Sequence, residues 1–126
     1  MNRELKFRAW DNLKKEWLKR KVYHFNPHFN EEGIGEFRLN QHPKGFIIQQ
    51  YTGLKDSKGV EIYEGDIVKY YFDNPDIIWV DLVAWESYGW RLLHFDGIES
   101  GSTPLVPIPS MEIIGNIFEN KELLNQ

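Results

Sequence analysis

The sequence predicts a mostly β fold, a small SH3-like or partly open β-barrel with an N-terminal β-hairpin and short helical pieces. Short runs rich in Val, Ile, Tyr, Phe and Trp recur along the chain, and clusters of Gly, Pro, Asn, Asp and Ser separate them. The chain has 126 residues, of which 41% are hydrophobic, and this suits one globular domain. A two-sheet sandwich of similar strands would give the same pattern.

The N-terminal part of the chain predicts a basic β-hairpin over residues 1–25, followed by a variable loop region over 26–45. Hairpin strands are expected near 5–10 and 16–23, on either side of the turn-like stretch from Asp11 to Lys15. Prolines and glycines interrupt 26–45 and leave room only for a short strand around Phe37 to Leu39.

The rest of the chain predicts a β core over 46–118 and a short C-terminal helix or tail over 119–126, which completes a single domain. Asn120 is expected to N-cap this helix, and the Gly-, Ser- and Pro-rich stretch 96–110 is expected to be a loop. The barrel would occupy roughly residues 60–118. The expected strands of the core lie near 45–51, 66–72, 77–86, 90–96 and 112–118.

The strand expected at 77–86 alternates between two faces. The face that we expect in the core is apolar at every position: Ile78, Val80, Leu82 and Ala84. The opposite face includes Trp79 and Asp81 and is expected to be only half covered. Trp85 should lie across the next turn from Trp90, because aromatic cross-strand pairs help to set strand register.

Composition excludes several classes of function. The chain has no cysteine, so disulfides, thiolate metal sites and a cysteine nucleophile are ruled out. We see no signal-peptide pattern and no apolar run of membrane-spanning length, and we therefore expect a cytoplasmic protein without membrane contact. The net charge is −4, but residues 1–25 carry eight basic and three acidic side chains, whereas 56–100 carry three basic and ten acidic ones.

The most distinctive stretch runs from Gln50 to Val68 and reads QYTGLKDSKGVEIYEGDIV. It resembles the signature of the YopX family of phage and prophage proteins, whose members share the pattern QYTGLKD-x-x-G-x-EIYEGDIV. Lys6–Asp11 and Ile114–Asn120 also resemble family segments. The resemblance implies an origin in bacteriophage or prophage genomes and a compact β-rich fold, and it implies no catalytic residues.

The signature residues have a structural interpretation. The glycines suit turns that need positive φ, the aspartates can accept bonds from nearby backbone amides, and the apolar residues supply core or rim. The residues in this structural motif are Tyr51, Gly53, Leu54, Asp56, Gly59, Ile62, Tyr63, Gly65 and Asp66. Alternatively, Asp56, Glu61, Glu64 and Asp66 would form an acidic cluster for Mg²⁺ or Ca²⁺.

The basic hairpin is the candidate binding surface, because cations beside aromatic rings are typical of proteins that bind single-stranded nucleic acid. The residues proposed for binding are Lys6, Arg8, Trp10, Trp17, Lys19, Arg20 and Lys21. The same lysines could simply protect a strand edge from unwanted pairing. In a third interpretation, the basic hairpin of one subunit docks on the acidic 56–100 region of another, and the protein is a homo-oligomer.

The sequence favours a non-catalytic phage or prophage accessory protein that acts as a protein-binding module toward a host protein, a phage protein or itself. We expect no enzyme and no cofactor. The alternatives are a nucleic-acid-binding accessory protein that uses the hairpin, and a metal-dependent hydrolase built on the acidic turns. His24 and His28 would share a metal only on one helix face, and Pro27 disfavours that helix.

Overall fold

The computed structural model describes residues 6–17, 23–24, 46–86, 89–95 and 100–125. These residues form a curled half-barrel sheet and a second sheet, with a single short 3-10 helix among them, and this confirms the predicted mostly β fold. The chain divides into two compact units, residues 1–53 and residues 54–126. The assignment of residues 1–126 to a single domain stays a prediction.

The first unit is built around β1 (Lys6–Asp11), which pairs antiparallel with β2 (Glu16–Trp17), β3 (Tyr23–His24) and β4 (Phe46–Lys55). The pairing of β1 with β4 extends over a five-residue register. The predicted hairpin is confirmed where it is described, while residues 18–22 lie outside the described part. β4 continues into the second unit.

The hairpin turn between β1 and β2 is held by a side chain. Asp11 Oδ1 accepts hydrogen bonds from the backbone N–H groups of Leu13 and Lys14, both at 3.0 Å. Lys15 closes the turn in the left-handed region with φ +59°. This Asx-type turn restrains the backbone at the tip of the hairpin.

The second unit contains a five-stranded antiparallel sheet, in which β6 (Asp66–Tyr70), β7 (Trp79–Glu86), β8 (Gly89–Phe95), β9 (Ser100–Pro104) and β10 (Glu112–Asn116) lie in the order β10-β6-β7-β8-β9. Four of these five strands match predicted ones. The other elements of this unit are β5 (Glu61–Tyr63) and a 3-10 helix (Lys121–Asn125).

The expectation of an uninterrupted loop over 96–110 is wrong, because β9 lies within it. β9 pairs with β8 from Ser100 opposite Phe95 to Pro104 opposite Arg91. β9 is an edge strand of this sheet, and Pro104 is its last residue. Proline is tolerated at such an edge, so the breakers that suggested a loop are compatible with a strand.

The prediction that Val80, Leu82 and Ala84 lie on the core face of β7 is also wrong. Asp81 and Val83 are each only 1% exposed, whereas Val80 and Leu82 are half-buried. Ile78 lies before the strand and is 50% exposed. The charge of Asp81 suggested a solvent-facing position, but its carboxylate has buried hydrogen-bond partners and so the side chain can be inside.

The core of the second unit is formed by residues from β5, from one face of this sheet and from the segment that precedes β10. Trp85 and Trp90 are paired as predicted, with ring centroids 4.9 Å apart in an edge-to-face arrangement. The partly buried Trp90 packs against the core. The buried cluster consists of Ile62, Val68, Tyr70, Val83, Leu92, Ile108 and Met111.

The glycines and the buried apolar residues of the signature stretch behave as predicted. Gly53, Gly59 and Gly65 have φ values of +92°, +84° and +88°, which side chains rarely adopt. Leu54 is half-buried. The buried apolar residues of the stretch are Tyr51, Ile62, Tyr63, Ile67 and Val68.

The two predicted aspartates of the stretch bind backbone amides. Asp56 Oδ1 accepts from the N–H groups of Lys58 and Val60, and Asp56 Oδ2 accepts from that of Ile113 on β10. Asp66 Oδ2 accepts from the Tyr63 N–H at 2.7 Å. Asp56 therefore connects its own turn to a strand 57 residues away.

The C-terminal turn differs in detail from the predicted cap. The 3-10 helix begins after Asn120, whose carbonyl accepts from the Leu123 N–H. The Asn120 side chain does not cap this helix. Its Oδ1 instead accepts from the Asn116 N–H at 3.2 Å. Gly115 makes this possible, because a Cβ there would lie 2.5 Å from that oxygen.

Candidate functional site

The second unit has an open groove of about 520 Å³, and we call it the aromatic groove. Cross-strand pairing places four of its lining residues side by side, with Tyr70 opposite Trp79 and His94 opposite Gly101. The volume lies within the range of sites that hold small molecules or peptide side chains. The groove is lined by Tyr70, Phe72, Trp79, Leu92, His94, Gly101, Thr103, Pro104, Val106 and Ile108.

Two exposed aromatic side chains stand at the groove. Phe72 follows the end of β6 and is 66% exposed, and Trp79 begins β7 and is 43% exposed. The loop between them turns at Asn74, whose Oδ1 accepts from the Asp76 N–H and whose carbonyl accepts from the Ile77 N–H. Phe72 also contacts Tyr70 edge-to-face, with ring centroids 5.5 Å apart.

One wall of the groove is formed by the segment between β9 and β10, which carries Val106 and Ile108. Ser110 anchors this segment to the chain just beyond β6, since its Oγ accepts from the Tyr71 N–H at 2.9 Å and donates to the Tyr71 carbonyl at 2.7 Å. At the other end, the Leu105 N–H donates to the Trp90 carbonyl at 3.0 Å. Both ends of the wall are therefore held by hydrogen bonds.

A buried polar network lies beneath the groove. Asp81 Oδ2 accepts from the Tyr70 hydroxyl at 2.5 Å, and Asp81 Oδ1 lies 2.8 Å from His94 Nδ1. A carboxylate can only accept, so His94 Nδ1 carries a proton in this contact. Asp81 thus holds two lining side chains of the groove in fixed positions, and the His94 ring lies 6.0 Å from that of Trp79.

The same network determines what Tyr70 can do chemically. Burial raises the pKa of Tyr70 well above its ordinary value of 10.0, and the hydrogen bond to Asp81 and the negative charge of that residue raise it further. Tyr70 therefore remains protonated even at an alkaline pH at which an ordinary tyrosine ionises. It serves the groove as a fixed hydrogen-bonding and aromatic side chain rather than as a base.

Two exposed acidic residues lie on the loop beside the aromatic groove. The sequence from Tyr70 to Trp90 contains four acidic side chains and no lysine or arginine. Asp73 and Asp76 are exposed on the loop that joins Phe72 to Trp79. The groove therefore has a largely apolar lining, and the loop that joins Phe72 to Trp79 adds two exposed acidic side chains beside it, which we call the acidic rim.

The structure brings together part of the predicted basic binding surface. The Arg8 guanidinium lies 4.3 Å from the centre of the Trp17 ring, and it donates to Gln49 Oε1 through Nε and Nη2. Trp17 packs edge-to-face on Trp10, with centroids 5.0 Å apart. Trp10 is only 2% exposed, so it cannot be the stacking platform that the sequence suggested.

The other members of that predicted surface lie apart or outside the described residues. Lys6 Nζ lies 5.4 Å from the centre of the Tyr51 ring. Lys19, Arg20 and Lys21 belong to the stretch 18–22, which is outside the described part of the chain.

The suggested metal sites receive no support from geometry. Asp56 and Asp66 direct their carboxylates to backbone amides. His24 lies in a β-strand instead of on a helix face, and His28 is outside the described residues. Within the described ranges, no three His, Asp or Glu side chains are grouped to hold a metal ion.

Sequence reasoning missed the residues that build the aromatic groove. Tyr70, Asp81 and His94 are far apart in the chain, and only sheet register brings them together. One signal was present, namely an aspartate in the middle of the otherwise apolar run of β7. A buried carboxylate at Asp81 requires hydrogen-bond partners, and its partners are Tyr70 and His94, which line the groove.

A mostly β chain with a half-barrel sheet and no helix beyond one 3-10 turn in its described residues defines a class of small β proteins. The family model described as YopX protein matches residues 6–125. The chain belongs to the YopX family, as its signature stretch predicted.

Two solved structures are similar over nearly the whole chain. Protein EF1440 from Enterococcus faecalis is 28% identical, with a TM-score of 0.59, and the match covers 95% of this chain and 97% of that one. The protein yopX from Bacillus subtilis is 16% identical, with a TM-score of 0.53 and coverage of 94% and 97%, and shows the shared fold. No curated protein matches the chain. No helix in the described ranges has the length and apolarity to cross a bilayer.

Proposed function

We propose that this protein is a non-catalytic accessory protein of a phage or prophage, and that it binds a protein partner in the aromatic groove. The observation that carries the proposal is the exposure of Phe72 and Trp79 beside a concave apolar surface. Large aromatic side chains gain free energy when a partner covers them, and exposed concave apolar surface is typical of binding sites.

Two polar side chains of the groove region, Asp81 and Tyr70, fit a role in supporting a binding surface. Asp81 is 1% exposed and both of its oxygens are engaged, so it is not available to a substrate. Tyr70 is protonated near neutral pH, as an ordinary tyrosine is, and its raised pKa extends this state to higher pH. Such a network gives a groove fixed walls, and pre-organised walls reduce the entropy lost when a partner binds.

The chemistry of the groove indicates the kind of segment that fits. An aliphatic or aromatic side chain would be buried between Phe72, Trp79 and Val106. Asp73 and Asp76 at the rim favour lysine or arginine beside it, since opposite charges steer association and disfavour acidic partners. The expected ligand is a protein segment with one exposed apolar side chain next to basic residues.

A peptide-display library selected on the purified protein tests this proposal. We expect the enriched peptides to combine an apolar side chain with Lys or Arg, and to bind with affinities that Phe72→Ala or Trp79→Ala lowers at least about tenfold. Trp85→Ala is the matched control, because Trp85 is 54% exposed on the same strand but does not line the groove. Selected peptides that bind both groove variants as well as the wild type would refute the proposal.

Nucleic-acid binding by the hairpin is the second candidate, and the contact between Arg8 and Trp17 favours it. That pair combines a cation with a half-buried ring, as single-strand binders do. Salt-sensitive binding of a single-stranded oligonucleotide that is lost in Arg8→Ala would support it. Binding that persists in Arg8→Ala would assign the oligonucleotide to another surface.

A further inference from the structure

We infer that the aromatic groove binds a second copy of this chain, through the tip of the β1–β2 hairpin. This inference rests on the proposed function and names the partner for the same groove. Its central contact is Leu13 of one copy in the groove of the next copy, with Lys14 and Lys15 meeting the acidic rim.

The hairpin tip has the chemistry that the groove selects. Leu13 is 75% exposed, the highest exposure among the large apolar side chains of the described residues. Lys14 and Lys15 follow it directly, and both are exposed. An exposed leucine beside two lysines is the combination of apolar and basic side chains that the groove and its rim favour.

The tip is also held by hydrogen bonds within its own turn. Asp11 holds the backbone of Leu13 and Lys14 through two hydrogen bonds. Lys15 Nζ donates to Asn12 Oδ1 at 3.1 Å, which adds a side-chain contact within the turn. A rigid turn loses less conformational entropy on docking than a flexible segment would.

Size and charge are complementary as well. One leucine side chain fills only part of a groove of about 520 Å³. The remaining space can take the aliphatic stem of a lysine along Trp79, with its ammonium near Asp73 or Asp76. The positive tip and the acidic rim belong to the basic and acidic parts of one sequence, so the net charge of the chain does not reveal the match.

The geometry of such a contact determines the kind of assembly. The tip and the groove are different surfaces, so each copy would insert its hairpin tip into one neighbour and bind the tip of another neighbour in its groove. An interface of this type is heterologous and generates a ring if it closes, or a filament if it does not.

Sedimentation velocity on the full chain tests the inference. We expect concentration-dependent self-association that weakens when the salt concentration rises from about 50 mM to about 500 mM, because exposed ion pairs are screened. Leu13→Asp and Trp79→Ala should each raise the dissociation constant at least about tenfold. Val60→Asp is the matched control for the first variant, since Val60 is 52% exposed elsewhere.

A mixing experiment separates a tip-to-groove contact from any other association. Leu13→Asp keeps an intact groove and Trp79→Ala keeps an intact tip, so an equimolar mixture should form a dimer that grows no further, while each variant alone stays monomeric. Association that survives in both variants, or a mixture that stays monomeric, would overturn the inference. Either result, together with library peptides that bind the wild type and lose affinity in Phe72→Ala and Trp79→Ala, would leave the proposed function standing. Peptides that bind both variants as well as the wild type would refute the proposed function itself.

Discussion

Asp56→Ala should destabilise the protein by about 3 kcal/mol. The Asp56 carboxylate accepts three backbone hydrogen bonds, from Lys58 and Val60 at 2.9 Å and from Ile113 at 3.1 Å. Each such bond contributes roughly 1 kcal/mol net, and the substitution removes all three acceptors. For a chain of this size the loss corresponds to a fall in Tm on the order of 10 °C.

Asp56→Asn separates the hydrogen bonds within the turn from the bond to β10. The asparagine carbonyl can still accept from Lys58 and Val60, but its amide group presents a donor to the Ile113 N–H. We therefore expect a smaller loss, about 1–2 kcal/mol. Asp73→Asn is the matched control, because Asp73 is exposed and its charge makes no such contact in the described residues.

The effect of Asp56 should depend on pH. Burial alone would raise the pKa of its carboxyl group, but the hydrogen bonds from Ile113, Val60 and Lys58, with the Lys58 ammonium, outweigh burial and lower the pKa below 3.8. A lowered folded-state pKa stabilises the protein above the unfolded value of about 3.9, and this stabilisation is lost as the pH falls through the folded pKa.

The assay is thermal unfolding followed by circular dichroism from pH 7 down to about pH 2.5. The difference in stability between the wild type and Asp56→Asn should be constant above about pH 5 and should narrow below about pH 4. A difference that stays constant over the whole range, or an Asp56→Ala variant as stable as the wild type, would refute this account of the turn.

Two further substitutions test the backbone and the buried network. Gly65→Val should cost about 1–3 kcal/mol, because a β-branched residue resists the φ of +88° at that position, and unchanged thermal unfolding would show that the strain is absent. Asp81→Ala should cost about 2–4 kcal/mol, since it leaves both the Tyr70 hydroxyl and His94 Nδ1 without their shared acceptor. Tyr70→Phe should cost less than Asp81→Ala, and equal losses would argue against a shared network.

Local sequence patterns predicted the features that neighbouring residues decide. The turn at Asp11, the cross-strand pairing of Trp85 with Trp90 and the positive φ of Gly59 each depend on residues close together in the chain. Turn chemistry and strand periodicity act over a few residues, and so they can be read without a structure.

The errors occurred where distant segments decide the outcome. β9 is a strand because β8 offers it hydrogen bonds, although its Gly, Ser and Pro composition is typical of a loop. Asp81 is buried because Tyr70 and His94 satisfy its carboxylate, and Trp10 is buried despite its place in a basic hairpin. In each case a tertiary contact outweighed the local preference.

The sequence alone determined the family, the mostly β class and the uneven distribution of charge, because a long signature, strand periodicity and residue identity are properties of the chain itself. Only the tertiary structure decided where a ligand can bind. The aromatic groove collects residues from β6, β7, β8, β9 and the segment after β9, and no spacing along the chain marks them as a group. Strand register placed them on one face, and burial with hydrogen bonding around Asp81 fixed their orientation.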